Sequence, residues 1–281
     1  TPPPFGAFGS LVMAVMCLGL FVYFVHRISS SIHINHMLFY SYKNTRDNIQ
    51  FLKRREEFLH VEKEVAEPVV KLELKAETAG YLSDLDYATL SALAWETGGH
   101  IRMMHKGGQF VFSNEVFLVA EGDFSKWQQR RLKAAVRISQ EEPLSIFQYG
   151  FKHLTEVAVK ACSPGINDPA TAVTAIDYLT DLFILHSDFK PYNCYHQKGK
   201  VYVRNFNFEE LIRGCYVEMY TYMNHDPLMV DVLKRSLKKI KRQCEKKEAP
   251  QIYKSAVLEQ LAFVETNPVS IKSPDQAWKI H

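Results

Sequence analysis

Hydrophobic residues are concentrated at the amino-terminal end of the chain, where residues 5–25 read FGAFGSLVMAVMCLGLFVYFV. No Asp, Glu, Lys or Arg occurs between Thr1 and His26. An α-helix needs about 20 apolar residues to cross the hydrocarbon core of a bilayer. The pattern therefore predicts a transmembrane helix within residues 1–27. A signal peptide would have a shorter apolar stretch that follows a basic region and ends at a small-residue cleavage site.

The segment after this stretch is basic and follows a helical pattern. Residues 27–55 carry six Lys or Arg and one Asp, a net charge of +5. Because the cytoplasmic flanks of membrane helices are enriched in Lys and Arg, we expect the rest of the chain to lie in the cytoplasm. No Pro or Gly occurs from residue 28 to 65. This predicts one long helix, residues 28–66, that leaves the membrane.

Between residues 67 and 123 the hydrophobic period shortens to two. In VVKLELKAE, residues 69–77, hydrophobic side chains alternate with charged ones, which is typical of a half-buried strand. A helical pattern at 87–97 ends at Gly98, and three short hydrophobic runs separated by turn signals follow. A small β-rich module with one embedded helix is predicted.

Residues 124–281 return to the helical period, except for a hairpin predicted around Gly199. The prediction is an α+β fold, and because the chain begins with Thr rather than Met, we expect further spans before residue 1. Its parts are a transmembrane helix (1–27, the last of several), a membrane-exit helix (28–66), a β-rich cytoplasmic module (67–123) and a mostly helical cytoplasmic domain (124–281).

Two of the predicted helices are basic. The first, Trp127 to Ile138, faces either acidic lipid, a partner's carboxylates or solvent, and a solvated face is the favoured interpretation. The second, Pro227 to Lys247, has eight basic and two acidic side chains around a hydrophobic seam. A basic amphipathic helix of this kind binds anionic lipid headgroups, and a solvated charged face is the alternative. The candidate lipid-facing residues are Lys234, Arg235, Lys238, Lys239, Lys241 and Arg242.

The segment SPGINDPATA, residues 163–172, predicts a rigid corner between two helices. Pro and Gly end the first helix, Asp168 is placed to cap the next, and Pro169 suits its first turn. The backbone amides at the start of the new helix also favour an anion, and side-chain oxygens favour a cation. The corner is therefore either structural or a ligand site. Its candidate residues are Ser163, Pro164, Gly165, Asn167, Asp168 and Pro169.

Composition and motifs exclude several functions. The net charge is +3, from 34 basic and 31 acidic residues, which is too balanced for a nucleic-acid-binding protein. Five scattered cysteines without a CxxC pair argue against a disulfide framework or a structural zinc site. Asp84 and Asp86 form either a cap region or an acid–base or cation pair. GxSxG, HExxH, P-loop and GxGxxG motifs are absent, so we expect no enzyme and no cofactor, and any metal is undetermined.

Several short motifs resemble a bacterial family of integral membrane proteins known as domain of unknown function 2254. The most specific motif is Ser163–Pro169 followed by Ala-Thr-Ala. Three other motifs precede it along the chain in the same order as in the family: LGLFVYFVHRISSSI, Gly80-Tyr81 and Gly108–Val111. The chain departs from the family pattern at residues 138–143, which read ISQEEP. The resemblance implies a bacterial inner-membrane location and further membrane helices before Thr1, but no activity for individual residues.

Two functions compete at this point. One is a homo-oligomeric, channel-like assembly in the bilayer that conducts an ion or a small solute. The other is a membrane-tethered module that binds a ligand, a lipid or a protein for regulation. Neither involves nucleic acid.

Overall fold

A computed structural model describes residues 4–31, 34–62, 70–143, 146–205 and 207–266. The chain forms two compact units, Thr1–Tyr40 and Ser41–His281. The first holds helix α1 (Pro4–Ser31) and the beginning of α2 (Ile34–Lys53). The second holds the rest of α2 and all other elements.

Helix α1 exposes its hydrophobic side chains, with Phe8 68% and Leu18 64% exposed. In the described part of the chain, no helix is both long enough and apolar enough to cross a membrane. The transmembrane helix predicted within residues 1–27 is therefore not supported.

The prediction of one long exit helix over residues 28–66 is wrong. Helix α2 ends at Lys53, and a 3-10 turn (Glu56–Phe58) leads into strand β1 (Leu59–His60). Leu59 pairs with Tyr195 and His60 with Cys194, in antiparallel register. This pairing with a distant strand outweighs the local helical pattern. Residues 63–66 lie outside the described part.

The remaining elements are as follows. The strands are β2 (Leu72–Lys75), β3 (Gly80–Leu85), β4 (Ile101–Lys106), β5 (Phe110–Val111), β6 (Val116–Ala120), β7 (Val136–Ser139), β8 (Cys194–His196) and β9 (Lys200–Arg204). The helices are α3 (Tyr87–Thr97), α4 (Lys126–Ala134), α5 (Phe147–Ala161), α6 (Pro169–His186), α7 (Phe208–Met223), α8 (Pro227–Lys246) and α9 (Gln251–Thr266). The predicted α+β fold class is confirmed.

The strands form two sheets, ordered β1-β8-β9-β4-β6-β2 and β5-β3-β7. Only β4 and β9 pair in parallel among the described strands. The hairpin predicted around Gly199 is confirmed as β8 and β9. Helices α5 to α9 pack on one another. The larger sheet thus joins strands from both sides of residue 123, and the predicted division into four parts stays a prediction.

The basic helix predicted from Trp127 to Ile138 is shorter than expected. Helix α4 ends at Ala134, and the residues after it form β7, which pairs with β3. Val136 is buried opposite Leu85 in this pairing. Val136 and Ile138, two positions apart as in a strand, therefore belong to β7 and not to the predicted helix.

Candidate functional site

The Ser41–His281 unit contains a cavity of about 290 Å³ between α2, α5, β3 and the end of β9. We call it the amide cavity. Its volume is close to the roughly 300 Å³ at which small-molecule sites begin. Most of its wall is hydrophobic or aromatic. Its lining includes Phe51, Leu59, Leu85, Tyr87, Ile146, Phe147, Tyr192, Tyr195 and Val203.

Three amide side chains give this cavity its polar character. Asn48 lies on α2, Gln148 in the first turn of α5, and Asn205 directly after β9. In the described structure, Asn48 Nδ2, Gln148 Oε1 and Asn205 Nδ2 are buried without a hydrogen-bond partner. Leaving a buried polar atom unpaired costs about 1–3 kcal/mol. Three such atoms around one cavity lower the stability of the folded protein, and they are available to form hydrogen bonds with a bound molecule.

The tyrosines of the wall are held in their neutral form. Burial raises the pKa of Tyr192 to about 12 and holds the pKa of Tyr87 well above its usual range. Tyr87 also stacks on Tyr195, with ring centroids 5.5 Å apart. These rings offer flat hydrophobic surfaces and hydroxyl groups without charge.

Two charged side chains, Arg55 and Asp84, line the same cavity, and both are exposed to solvent. Asp84 follows a register irregularity between Leu82 and Asp84 in the pairing of β3 with β7. Its neighbour Asp86 caps α3 by accepting a hydrogen bond from the Thr89 amide at 3.1 Å. Of the two aspartates predicted as a cap region or a pair, Asp86 therefore caps α3 and Asp84 lines the cavity.

A smaller cavity of about 70 Å³ adjoins the amide cavity. The two share the lining residues Leu52, Phe147, Tyr192 and Asn205. His186 lines the smaller one, and its Nδ1 atom is buried without a partner in the described structure. Burial lowers the pKa of His186 to about 4. This imidazole is therefore neutral at physiological pH.

The corner predicted from residues 163–169 has a clear structural role. The Asp168 carboxylate accepts hydrogen bonds from the amide and the hydroxyl of Thr171, and these bonds lower the pKa of Asp168. Asn167 has φ +48°, and its amide donates to the Ser163 carbonyl at 2.9 Å. The segment is largely exposed, and its residues do not line the two cavities above. Ligand binding at this corner stays a prediction.

The hydrophobic seam of α8 is buried, as predicted, and its basic residues surround it. Several of these cations pair with nearby acids: Arg235 with Asp231 at 2.9 Å, and Lys238 with Glu265 at 3.6 Å. Such exposed pairs contribute little to stability. Contact of α8 with anionic lipid stays a prediction.

The amide cavity was not predicted from the sequence. Its polar residues are separated by about 100 and 57 positions in the chain, and isolated Asn and Gln carry no local signal. In the described residues, no group of three or more His, Cys, Asp or Glu is placed to hold a metal ion.

Comparison with known proteins places the chain in a family. The family model described as "Predicted membrane protein (DUF2254)" matches residues 1–239. The chain belongs to this family. Membership confirms the resemblance drawn from the Ser163–Pro169 motif and identifies a membrane protein family of unknown function. Contact with lipid follows from that description.

The curated relatives are mycobacterial. Uncharacterized protein Mb1321c of Mycobacterium bovis and Uncharacterized protein Rv1290c of Mycobacterium tuberculosis are each 24% identical over 188 residues. Each match covers 63% of this chain and 36% of the relative, so the chain spans about a third of their length. No solved structure matches significantly.

Proposed function

We propose that the Ser41–His281 unit is a ligand-binding, regulatory module of a DUF2254 membrane protein, and that the amide cavity is its binding site. The observation that carries this proposal is that three amide side chains, each with one buried atom that lacks a hydrogen-bond partner, line one largely hydrophobic cavity. In a purely structural core, such atoms would be paired or replaced by hydrocarbon. A ligand that satisfies them recovers the cost of leaving them unpaired.

The chemistry of the wall favours an uncharged ligand with a flat hydrophobic body and both hydrogen-bond acceptors and donors. Aromatic rings suit a heteroaromatic ring system. Amide nitrogens bind acceptors, and an amide oxygen binds a donor. A fully enclosed ion would need charged partners, whereas Arg55 and Asp84 are exposed. Compounds of the nucleobase type have this combination of groups.

We place this unit at the cytoplasmic face of the bacterial inner membrane, where the ligand regulates the protein without being converted. The basic segment over residues 27–55 suits the anionic cytoplasmic leaflet. The described cysteines are all free thiols, as expected in a reducing compartment. In this proposal, the basic face of α8 adds contact with lipid headgroups.

Gly107 provides a way to block the amide cavity. A Cβ atom at Gly107 would lie 3.6 Å from Ile146 Cδ1 and 3.7 Å from Leu85 Cδ1, which is ordinary contact. Gly107→Ala is therefore the matched control, and Gly107→Leu extends a side chain into the cavity. Uncharged heteroaromatic compounds are screened by thermal unfolding of the full chain in detergent. A ligand at about 100 times its Kd stabilises the folded protein by about 2.7 kcal/mol.

We expect binding to survive in Gly107→Ala and to fall at least about tenfold in Gly107→Leu, a loss of about 1.4 kcal/mol. Recovery of the bound compound chemically unchanged supports binding without conversion. If a compound binds both variants equally, its site is elsewhere. If both variants unfold like the wild type and no compound of this class stabilises any of them, the proposal is wrong.

The channel-like assembly is the second candidate, favoured by the exposed hydrophobic surface of α1. An axial conduit requires several subunits around one axis. If the protein forms such a conduit, the detergent-solubilised protein should have the mass of a closed oligomer of three or more copies, measured by light scattering or native mass spectrometry. A monomeric mass would eliminate the conduit and leave the binding module.

A further inference from the structure

The surface formed by the end of α3 and the start of α4 exposes two tryptophans. Trp95 is 69% exposed and Trp127 is 62% exposed. Tryptophan is usually well buried, because its large ring loses much unfavourable contact with water on burial. Two rings with this exposure on contacting helices therefore form an aromatic surface that is open to a binding partner.

Contacts between α3 and α4 tie the two tryptophan-bearing helices together. The Arg131 guanidinium lies 4.7 Å from the Trp127 ring centroid and pairs with Glu96, the residue after Trp95, at 3.5 Å. Gln128 Nε2 donates to the same carboxylate at 3.4 Å. Helix α4 begins with a capping box formed by Ser125 and Gln128 and buries Leu132. The two tryptophans therefore belong to one preorganised surface.

This surface is also positively charged. Helix α4 contains Lys126, Arg130, Arg131 and Lys133 and no acidic residue. Arg131 and Lys133 pair with Glu96 and Glu77. Lys126 and Arg130 are exposed on either side of Trp127, and within the described structure no carboxylate lies within 4.0 Å of either. The nearby Asp123 pairs with Lys71. An excess of positive charge thus surrounds the Trp127 ring.

We infer that this surface, formed by Trp95, Lys126, Trp127 and Arg130, lies against the headgroup region of a bilayer that contains anionic lipid. Tryptophan is enriched at membrane interfaces, where its ring meets the acyl boundary and its N–H stays hydrated. Exposed Lys and Arg are attracted to anionic headgroups. The charge complementarity and the membrane family favour a lipid surface over a protein partner. The inference is independent of the amide cavity.

Depth-dependent fluorescence quenching tests this contact. The full chain is placed in nanodiscs made of phosphatidylcholine alone or of equal parts phosphatidylcholine and phosphatidylglycerol, with a doxyl quencher near the headgroup. Each variant keeps one of the three tryptophans: Trp127→Phe/Trp278→Phe keeps Trp95, and Trp95→Phe/Trp278→Phe keeps Trp127. The control replaces all three tryptophans by Phe and adds Tyr222→Trp, at a position on α7 that is 58% exposed.

We expect lipid quenching of Trp95 and Trp127 to be about twofold stronger with phosphatidylglycerol and to weaken in high salt and in Lys126→Glu/Arg130→Glu. The Tyr222→Trp control should be quenched by aqueous iodide and little by lipid. Iodide quenching of Trp95 and Trp127 without lipid quenching would overturn the inference. So would equal lipid quenching of the control, or an emission shift that depends on protein concentration, which would indicate a protein partner.

Discussion

The protein is expected to lose stability as the pH falls from about 6.5 towards 4, because His186 is buried in a neutral form. Burial lowers the pKa of this imidazole from 6.5 to about 4 in the folded chain. The unfolded chain therefore takes up a proton in this range that the folded chain excludes. This stabilisation is fully present above pH 6.5 and is lost as the pH falls. It amounts to about 3 kcal/mol over the whole range.

The surroundings of His186 explain why the folded state resists protonation. The ring lies 5.3 Å from the Phe147 ring centroid, 5.7 Å from Phe208 and 5.8 Å from Phe189. Its Nδ1 atom has no hydrogen-bond partner in the described structure. An imidazolium here would be an unpaired charge among hydrocarbon, which is strongly unfavourable.

His186→Phe is the matched variant, since a phenyl ring suits this aromatic environment. Denaturant unfolding of the full chain in detergent is measured at intervals between pH 7 and pH 4.5 for both proteins. Other groups titrate in both proteins, so the difference between their slopes isolates His186. The free energy of unfolding of the variant should depend less on pH. Parallel curves would show that His186 is protonated equally in the folded and unfolded states.

Local patterns predicted the elements whose hydrophobic period or turn residue is visible in the sequence itself. Leu74 is buried and Glu73 exposed in β2, as the alternation predicted, and Gly98 ends α3 with φ +63°. The seam of α8 is another such case. In each, the period or the turn residue reflects the physical cause of the structure.

Features that depend on distant partners were missed. The two residues of β1 form a strand only because β8 is available to pair with them. The parallel pairing of β4 with β9 joins Ile101 to Val201, and nothing local specifies it. The amide cavity has the same origin: its three amides come from α2, α5 and the end of β9. A sequence pattern identifies none of them as neighbours.

Gly150→Ala is expected to destabilise the folded protein by about 3 kcal/mol, the upper part of the range for overpacking a core. Gly150 lies on α5, where a Cβ atom would overlap Thr45 Oγ1 and lie 2.6 Å from Thr45 Cβ. Thr45 is 2% exposed on α2, and its hydroxyl donates to the Ser41 carbonyl at 2.7 Å. The threonine therefore has no room to move away, and α2 must shift from α5.

Two further variants separate this clash from the ordinary effect of a helical glycine. A Cβ atom at Gly214, on α7, would meet no neighbouring heavy atom within 4 Å. Gly214→Ala should therefore stabilise the protein by about 0.5–1 kcal/mol. The Thr45→Gly substitution removes all the atoms that the new Cβ would overlap. Gly150→Ala should therefore lower the free energy of unfolding much less in the Thr45→Gly background than in the wild type. Additive effects of the two substitutions would refute the packing explanation.

The same close approach of α2 and α5 positions the proposed binding site. Asn48 lies three residues after Thr45 on α2, and Gln148 lies two residues before Gly150 on α5. A shift of α2 away from α5 therefore separates two of the three amides that line the cavity. At a temperature where Gly150→Ala is still folded, ligand affinity should fall by more than about tenfold, whereas Gly214→Ala should bind as the wild type does. Unchanged affinity in folded Gly150→Ala would show that the site does not depend on the spacing of these two helices.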